Sequence, residues 1–295
     1  MYKLQGVIPA MVTPFKEDRS IDEKGLQILV KKLSDQGCHG ILIGGSTGEY
    51  TLMSIEERKK IFQLAVEAAK DEPVAIIANT GCHATEHTIK LSQSAQKAGV
   101  DAVMVLPTYY LKTTKEGIKN HYKNISKKLD IPMTIYHYPE ATNVLLSPEE
   151  IIELSKIENI IGIKNTAPMQ HTSKLLHLTK DMDKFDVLTG YEHLFLSTLA
   201  CGGSGVIGIV NNIVAEELVE MYNLIQMGDI KKARTVNDSL INLYSLMEEE
   251  PCPGPVKAAL NKMGWPAGPS RLPIVPASEE MKKKIEVELK KLGKI

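Results

Sequence analysis

Several things are scarce in this sequence, and each scarcity narrows what the chain can be. Its 295 residues hold four cysteines, Cys38, Cys82, Cys201 and Cys252, far apart and with no C-x-x-C pair. That spacing offers no disulfide framework, and a chain with reduced thiols follows. An excess of one charge is missing too: Lys and Arg number 35 against 36 Asp and Glu, a formal net charge of -1. Such a balance leaves no electrostatic footprint for nucleic acid or anionic lipid. Even the densest basic run, MKKKIEVELKKLGKI, alternates like the solvated face of one C-terminal helix. The opening MYKLQGVIPAMVTPF lacks the charged and apolar regions of a secretory signal, so a cytoplasmic location is expected. One uncharged run, Leu194 to Ala215, is long enough to raise a membrane span. CGGSG interrupts it and two asparagines follow, which suits a short helix, a turn and a buried strand.

What is present is a rhythm. Short apolar runs rich in β-branched residues alternate with amphipathic stretches at about the spacing of a βα unit. The strand candidates are GVIPAMVTPF, GILIGG, PVAIIANT, AVMVLP, PMTIYHYP, IIGIKNT, FDVLTG and SGVIGIV. Each is continuous rather than alternating in polarity, as strands covered on both faces are. Helix starts are expected at the S-x-x-E capping boxes of Ser20, Ser54 and Ser147, the last with Pro148 at the first helical position. Helix ends are expected at Gly37 and Gly99. Eight such units predict a (β/α)₈ TIM barrel over residues 1–212, with an open doubly wound sheet as the alternative. Residues 213–295 then form a C-terminal helical domain, with helices near 214–228, 230–249, 255–263 and 279–292.

Two short motifs invite catalytic readings that their surroundings do not support. GGSTG around Ser46 matches the G-x-S-x-G nucleophile elbow, but an elbow turns directly from strand to helix. Here the loop EYTLM intervenes before the Ser54 capping box. A glycine-rich turn whose free N–H groups hold a small anion such as a carboxylate fits better. In GCHATEH, His83, Glu86 and His87 match H-x-x-E-H, whose zinc ligation needs one helix through all three. His83 instead follows a strand and a glycine, and Thr85 reads as the cap of a helix that starts afterwards.

The most informative strand is IIGIKNT, because Lys164 stands at its C-terminal end, where barrel enzymes keep their sites. Ile160, Gly162 and Lys164 share one face by alternation. A desolvated amine loses its proton more readily and attacks carbonyl compounds. The neighbouring strand offers Tyr136, a phenol able to shuttle protons beside an iminium, a role the Ser46 hydroxyl could extend.

GGSTGE, PTYY at Pro107 to Tyr110, YHYP at Tyr136, GIKNT at Lys164, TGYE at Thr189 to Glu192 and GVIG at Gly205 occur in an order and spacing that resemble one family. It is the dihydrodipicolinate synthase and N-acetylneuraminate lyase family of pyruvate-dependent class I aldolases, and the resemblance covers nearly the whole chain. It implies a Schiff base between Lys164 and a 2-oxo acid, usually pyruvate, with Tyr136 as proton shuttle. It also implies a carboxylate site at the Ser46 and Thr47 N–H groups, and a relay of Ser46, Tyr136 and Tyr110, the last reaching in from a neighbouring subunit. Ile207 matches the position whose carbonyl lines the site. No metal or organic cofactor is implied, and a homotetramer is.

The second substrate is where the sequence departs from the synthase pattern. Ala141 stands where a synthase carries an arginine that grips a carboxylate bidentately. The single-threonine GGST, together with Thr166, Gly190 and Glu192, leans toward hydroxylated sugar acids. Ile209 in place of a serine, and the tail RLPIVPASEE, lean back toward a synthase. The leading expectation is reversible aldol cleavage of a 2-oxo-3-deoxy acid to pyruvate and an aldehyde. The alternatives are dihydrodipicolinate synthase activity, a dehydratase on the same lysine, and a non-catalytic sugar-acid sensor or scaffold.

Overall fold

The computed structural model describes residues 3–295. Its strands are β1 (Gly6–Pro9), β2 (Gly40–Ile43), β3 (Ala75–Asn79), β4 (Ala102–Val105), β5 (Met133–His137), β6 (Ile160–Asn165), β7 (Asp186–Thr189) and β8 (Gly205–Gly208). Its helices are α1 (Glu23–Asp35), α2 (Ile55–Ala68), α3 (Thr85–Ala98), α4 (Lys115–Ser126), α5 (Pro139–Thr142), α6 (Pro148–Ser155), α7 (Met169–Thr179) and α8 (Phe195–Ala200). A C-terminal set follows: α9 (Ala215–Gln226), α10 (Ile230–Glu248), α11 (Gly254–Lys262) and α12 (Glu279–Lys291). The strands make one parallel sheet in the order β1-β8-β7-β6-β5-β4-β3-β2. This is a (β/α)₈ barrel with a C-terminal helical extension. Strand residues are buried throughout, apart from half-buried first residues in β3 and β7, which is why their sequences read as unbroken apolar runs. The two strands at the ends of that order are bridged at Ala10 and Leu42, and the Met11 N–H donates to the Leu42 carbonyl at 3.0 Å. An open doubly wound sheet has no such bridge.

The chain divides into two compact units: the described residues through Gly6 with Ile77–Ile207, and Val7–Ile76 with Gly208–Ile295. The first holds the ladders from β3 to β8, the second the start of the barrel and the C-terminal helices.

Local chemistry explains most element ends. Ser54 and Ser147 form complete capping boxes, each hydroxyl accepting from the N–H three residues on while Glu57 and Glu150 reach back. Such a cap contributes about 1 kcal/mol. Gly99 closes α3 in the left-handed conformation at φ +94°, and Gly37, at φ +79°, follows α1. Two expected caps are corrected. At the first helix the cap is Asp22, which accepts from the Gly25 N–H at 3.0 Å, while Ser20 bonds Asp18 in the turn before it. Aspartate is as good a cap as serine, and it stands directly before the first helical residue. Thr85 is already helical, and its hydroxyl goes to His121 Nδ1 at 2.9 Å instead of to the helix. EYTLM is not wholly a loop: Tyr50–Leu52 is one 3₁₀ turn. Among the described residues no helix is long and apolar enough to cross a membrane.

Candidate active site

The first unit gathers four of the expected residues at the C-terminal ends of β5, β6 and β7. The β5–β6 ladder carries an irregularity between Met133 and Thr134, beyond which Tyr136 pairs with Lys164 and His137 with Asn165. Paired residues of neighbouring parallel strands point to the same face, so the irregularity decides that the phenol stands beside the amine. Lys164 is 6% exposed, Tyr136 is 2% exposed, and the amine lies 4.6 Å from the centre of the tyrosine ring. Gly190, at the end of β7, makes the close approach possible. A Cβ there would lie 2.0 Å from Thr166 Oγ1 and 3.0 Å from Lys164 Cε, so only glycine fits beside the lysine's stem. Thr166 is buried, and its hydroxyl has no hydrogen-bond partner in the protein. A buried hydroxyl left unsatisfied costs about 1–3 kcal/mol, which a substrate hydroxyl can offset.

Glu192 is buried one turn further along, in the 3₁₀ segment Glu192–Leu194, and Ile207 is fully buried on β8. The intervening Tyr191 sends its hydroxyl to the Glu140 carboxylate at 3.4 Å, across to the connection after β5 where Ala141 is exposed. The residue next to Ala141 in the chain, Glu140, is thus an acid held by Tyr191. Tyr110 stands apart from this cluster: it is 85% exposed and held at φ +69° in the connection after β4.

The second unit places Ser46 and Thr47 in the turn after β2, again at a strand's C-terminal end. Ser46 is exposed and Thr47 buried, and the turn closes through Glu49 N–H to Ser46 carbonyl at 3.0 Å and Tyr50 N–H to Gly45 carbonyl at 3.3 Å. Helix α2 begins only at Ile55, so the serine does not sit on an elbow. Glu49, at φ +60°, holds the turn from behind: its carboxylate pairs with Lys257 of α11 at 2.6 Å and accepts the Arg271 N–H at 2.7 Å. Lys257 is 2% exposed and lies 4.4 Å from the centre of the Phe15 ring. Burial pulls its pKa down to about 8, against the pull of Glu49 the other way. This anchor was not anticipated, and its one sequence signal is a lysine inside the apolar stretch GPVKAAL.

The H-x-x-E-H residues are not arranged for ligation along one helix. His83 precedes α3 and packs its ring 4.1 Å from that of Tyr109, while Glu86 and His87 are exposed on the helix's first turn.

An amine sheltered at the C-terminal end of a barrel strand, with a phenol against it and an unsatisfied hydroxyl beside it, is equipped for carbonyl chemistry through a covalent iminium. Residues 3–292 match the model of the dihydrodipicolinate synthetase family. The chain is 40% identical over 293 residues to the 4-hydroxy-tetrahydrodipicolinate synthase of Methanocaldococcus jannaschii, covering 99% of both chains. It is 37% identical over 290 residues to that of Methanothrix thermoacetophila, covering 98% of this chain and 97% of the other. Among solved structures it is similar to dihydrodipicolinate synthase from Thermotoga maritima, with a TM-score of 0.95 and 33% identity over all of both chains. YagE from E. coli K12, a prophage protein of the dihydrodipicolinic acid synthase family solved with pyruvate, aligns with a TM-score of 0.94 and 29% identity over 99% of both chains. The chain belongs to the dihydrodipicolinate synthetase family. It is an enzyme, a pyruvate-dependent lyase.

Proposed function

We propose that the protein catalyses reversible aldol cleavage of a 2-oxo-3-deoxy acid to pyruvate and a hydroxylated aldehyde, through a Schiff base on Lys164. The observation that carries this reading is the buried Lys164 amine packed on Tyr136 and Gly190 beside the unpartnered Thr166 hydroxyl. In the condensing direction the amine adds to the 2-oxo carbon, water leaves, and the iminium draws electrons from C3 as a proton departs. The resulting enamine attacks the aldehyde carbon, the new alkoxide takes a proton, and water releases the product and the free lysine. Tyr136 shuttles these protons, in a relay with the Ser46 hydroxyl and with Tyr110 supplied by a neighbouring subunit. The Ser46 and Thr47 N–H groups hold the pyruvyl carboxylate. Thr166 and Glu192 bind substrate hydroxyls, the Ile207 carbonyl lines the site, and Gly190 keeps the space open. Neither a metal nor an organic cofactor enters the reaction. The catalytic part is the barrel of residues 1–212 with residues 213–295 as the helical domain, in a cytoplasmic homotetramer.

Glu140 and Ala141 support a neutral aldehyde: an acid where a second carboxylate would dock repels an anionic partner. The second reading, 4-hydroxy-tetrahydrodipicolinate synthase, is favoured by the activity of the relatives from Methanothrix thermoacetophila and Methanocaldococcus jannaschii, at 37% and 40% identity. Borohydride trapping with pyruvate, followed by peptide mass spectrometry, tests the chemistry common to both. A reduced pyruvyl adduct on Lys164 is expected. No adduct on the folded protein sinks both readings and brings the sugar-acid sensor forward. Initial rates with glyceraldehyde against aspartate semialdehyde then separate the two.

A further inference from the structure

One residue beyond Tyr136 and Lys164, on the opposite face of the sheet, His137 pairs in register with Asn165. His137 Nδ1 lies 2.7 Å from Asn165 Oδ1, and its Nε2 accepts the Leu146 N–H at 3.1 Å. A ring nitrogen that accepts carries no proton, so the His137 proton sits on Nδ1 and is donated to Asn165. The Asn165 amide nitrogen then donates to Thr172 Oγ1 at 3.0 Å and to His171 Nδ1 at 3.3 Å. His171 Nδ1 therefore accepts, and its protonated Nε2 donates to the Leu146 carbonyl at 2.8 Å. One arrangement of protons satisfies every one of these contacts, and both rings are neutral in it.

The consequence falls on Leu146. Its N–H and its carbonyl are gripped by two different imidazoles, and its side chain is buried. Leu146 closes the connection that leaves β5 at Tyr138, passes through α5 and the left-handed Asn143, and carries Glu140 and Ala141 exposed at the rim. The Tyr191 hydroxyl meets Glu140 from the strand end whose Gly190 packs on Lys164. The network therefore pins the far end of the connection that carries Glu140 and Ala141, from the face of the sheet opposite Tyr136 and Lys164.

We propose that His171, acting with Asn165 and His137, is a positioning residue that fixes the β5–α6 connection for the second substrate, an inference that rests on Lys164 being the Schiff-base lysine. His171 is half-buried in the first turn of α7, and urea midpoints of its variants check that each is folded. His171→Asn keeps an acceptor for Asn165 but cannot reach the Leu146 carbonyl, whereas His171→Gln carries a donor as far out as Nε2. Hydrogen exchange of the peptide spanning residues 138–147 should quicken about tenfold in His171→Asn, the scale of one lost hydrogen bond, and return toward wild type in His171→Gln. In the same pair, KM for glyceraldehyde should rise about tenfold and recover, with borohydride trapping of pyruvate on Lys164 within about twofold of wild type throughout. Unchanged exchange in His171→Asn overturns the inference. So does trapping that falls in step with exchange, since the network would then be holding Lys164. Failure of the wild-type protein to trap pyruvate removes the proposed function instead, and leaves the exchange result to decide whether the clamp exists.

Discussion

Lys164 and Lys257 are both almost fully buried, and both lie over an aromatic ring, 4.6 Å from Tyr136 and 4.4 Å from Phe15. They are built for different ends. Lys257 is bound to the Glu49 carboxylate at 2.6 Å and donates to the Pro269 carbonyl at 3.0 Å, an arrangement that fixes a charge in place behind a turn. Lys164 is walled by a phenol, the edge of Gly190 and the Thr166 hydroxyl, which has no hydrogen-bond partner in the protein. A buried lysine is therefore not a functional signal by itself. The chemistry of its neighbours separates an anchor from a nucleophile.

The sharpest way to break that contrast is to replace each lysine by methionine. Lys164→Met should lower turnover by roughly 10⁴-fold or more, as losing a covalent nucleophile does, with the melting temperature nearly unchanged; steady-state rates and calorimetry check both. Substantial residual turnover would remove Lys164 from the chemistry. Lys257→Met should instead cost about 3–5 kcal/mol of stability by leaving Glu49 buried and unpaired, with trapping at Lys164 retained in the folded fraction. Adding Glu49→Gln should return most of that loss in denaturant titrations; no recovery would mean the pair is not the anchor.

Titration provides a smaller effect. Burial pushes His137 and His121 from 6.5 down to about 4, and for His137 the nearby His171 adds to the push while the Asn165 hydrogen bond opposes it. The unfolded chain binds these protons before the folded one does, so stability is full above pH 6.5 and is lost as pH falls toward 4. Each histidine accounts for about 3 kcal/mol over that window. Urea midpoints followed with pH should show the fall, and His137→Gln should remove about half of its slope. The mildest change concerns the rim. Ala141→Arg should raise kcat/KM for aspartate semialdehyde about tenfold by supplying a bidentate carboxylate partner, and unchanged kinetics would count against the reading of that rim.

The sequence by itself determined the eight buried strands, because strands covered on both faces must be apolar without interruption. It also determined the capping boxes at Ser54 and Ser147, where donor and acceptor are local, and it marked Lys164 as a cation at the end of such a strand. The family motifs pointed to Tyr136 as its neighbour, but strand periodicity alone did not fix the register that puts it there. Had β5 and β6 paired without their irregularity at Met133 and Thr134, Ile163 would neighbour Tyr136 and His137 would neighbour Lys164. Nor could the sequence show that Lys257 is buried as an anchor, since its partner Glu49 lies far along the chain. The cap at Asp22 was missed for a local reason, two good capping residues standing within one turn of each other. The grip on Leu146 was out of reach altogether. It is made by imidazoles from β5 and α7, and only tertiary structure brings His137 and His171 to one peptide, where burial makes every unmet hydrogen bond costly.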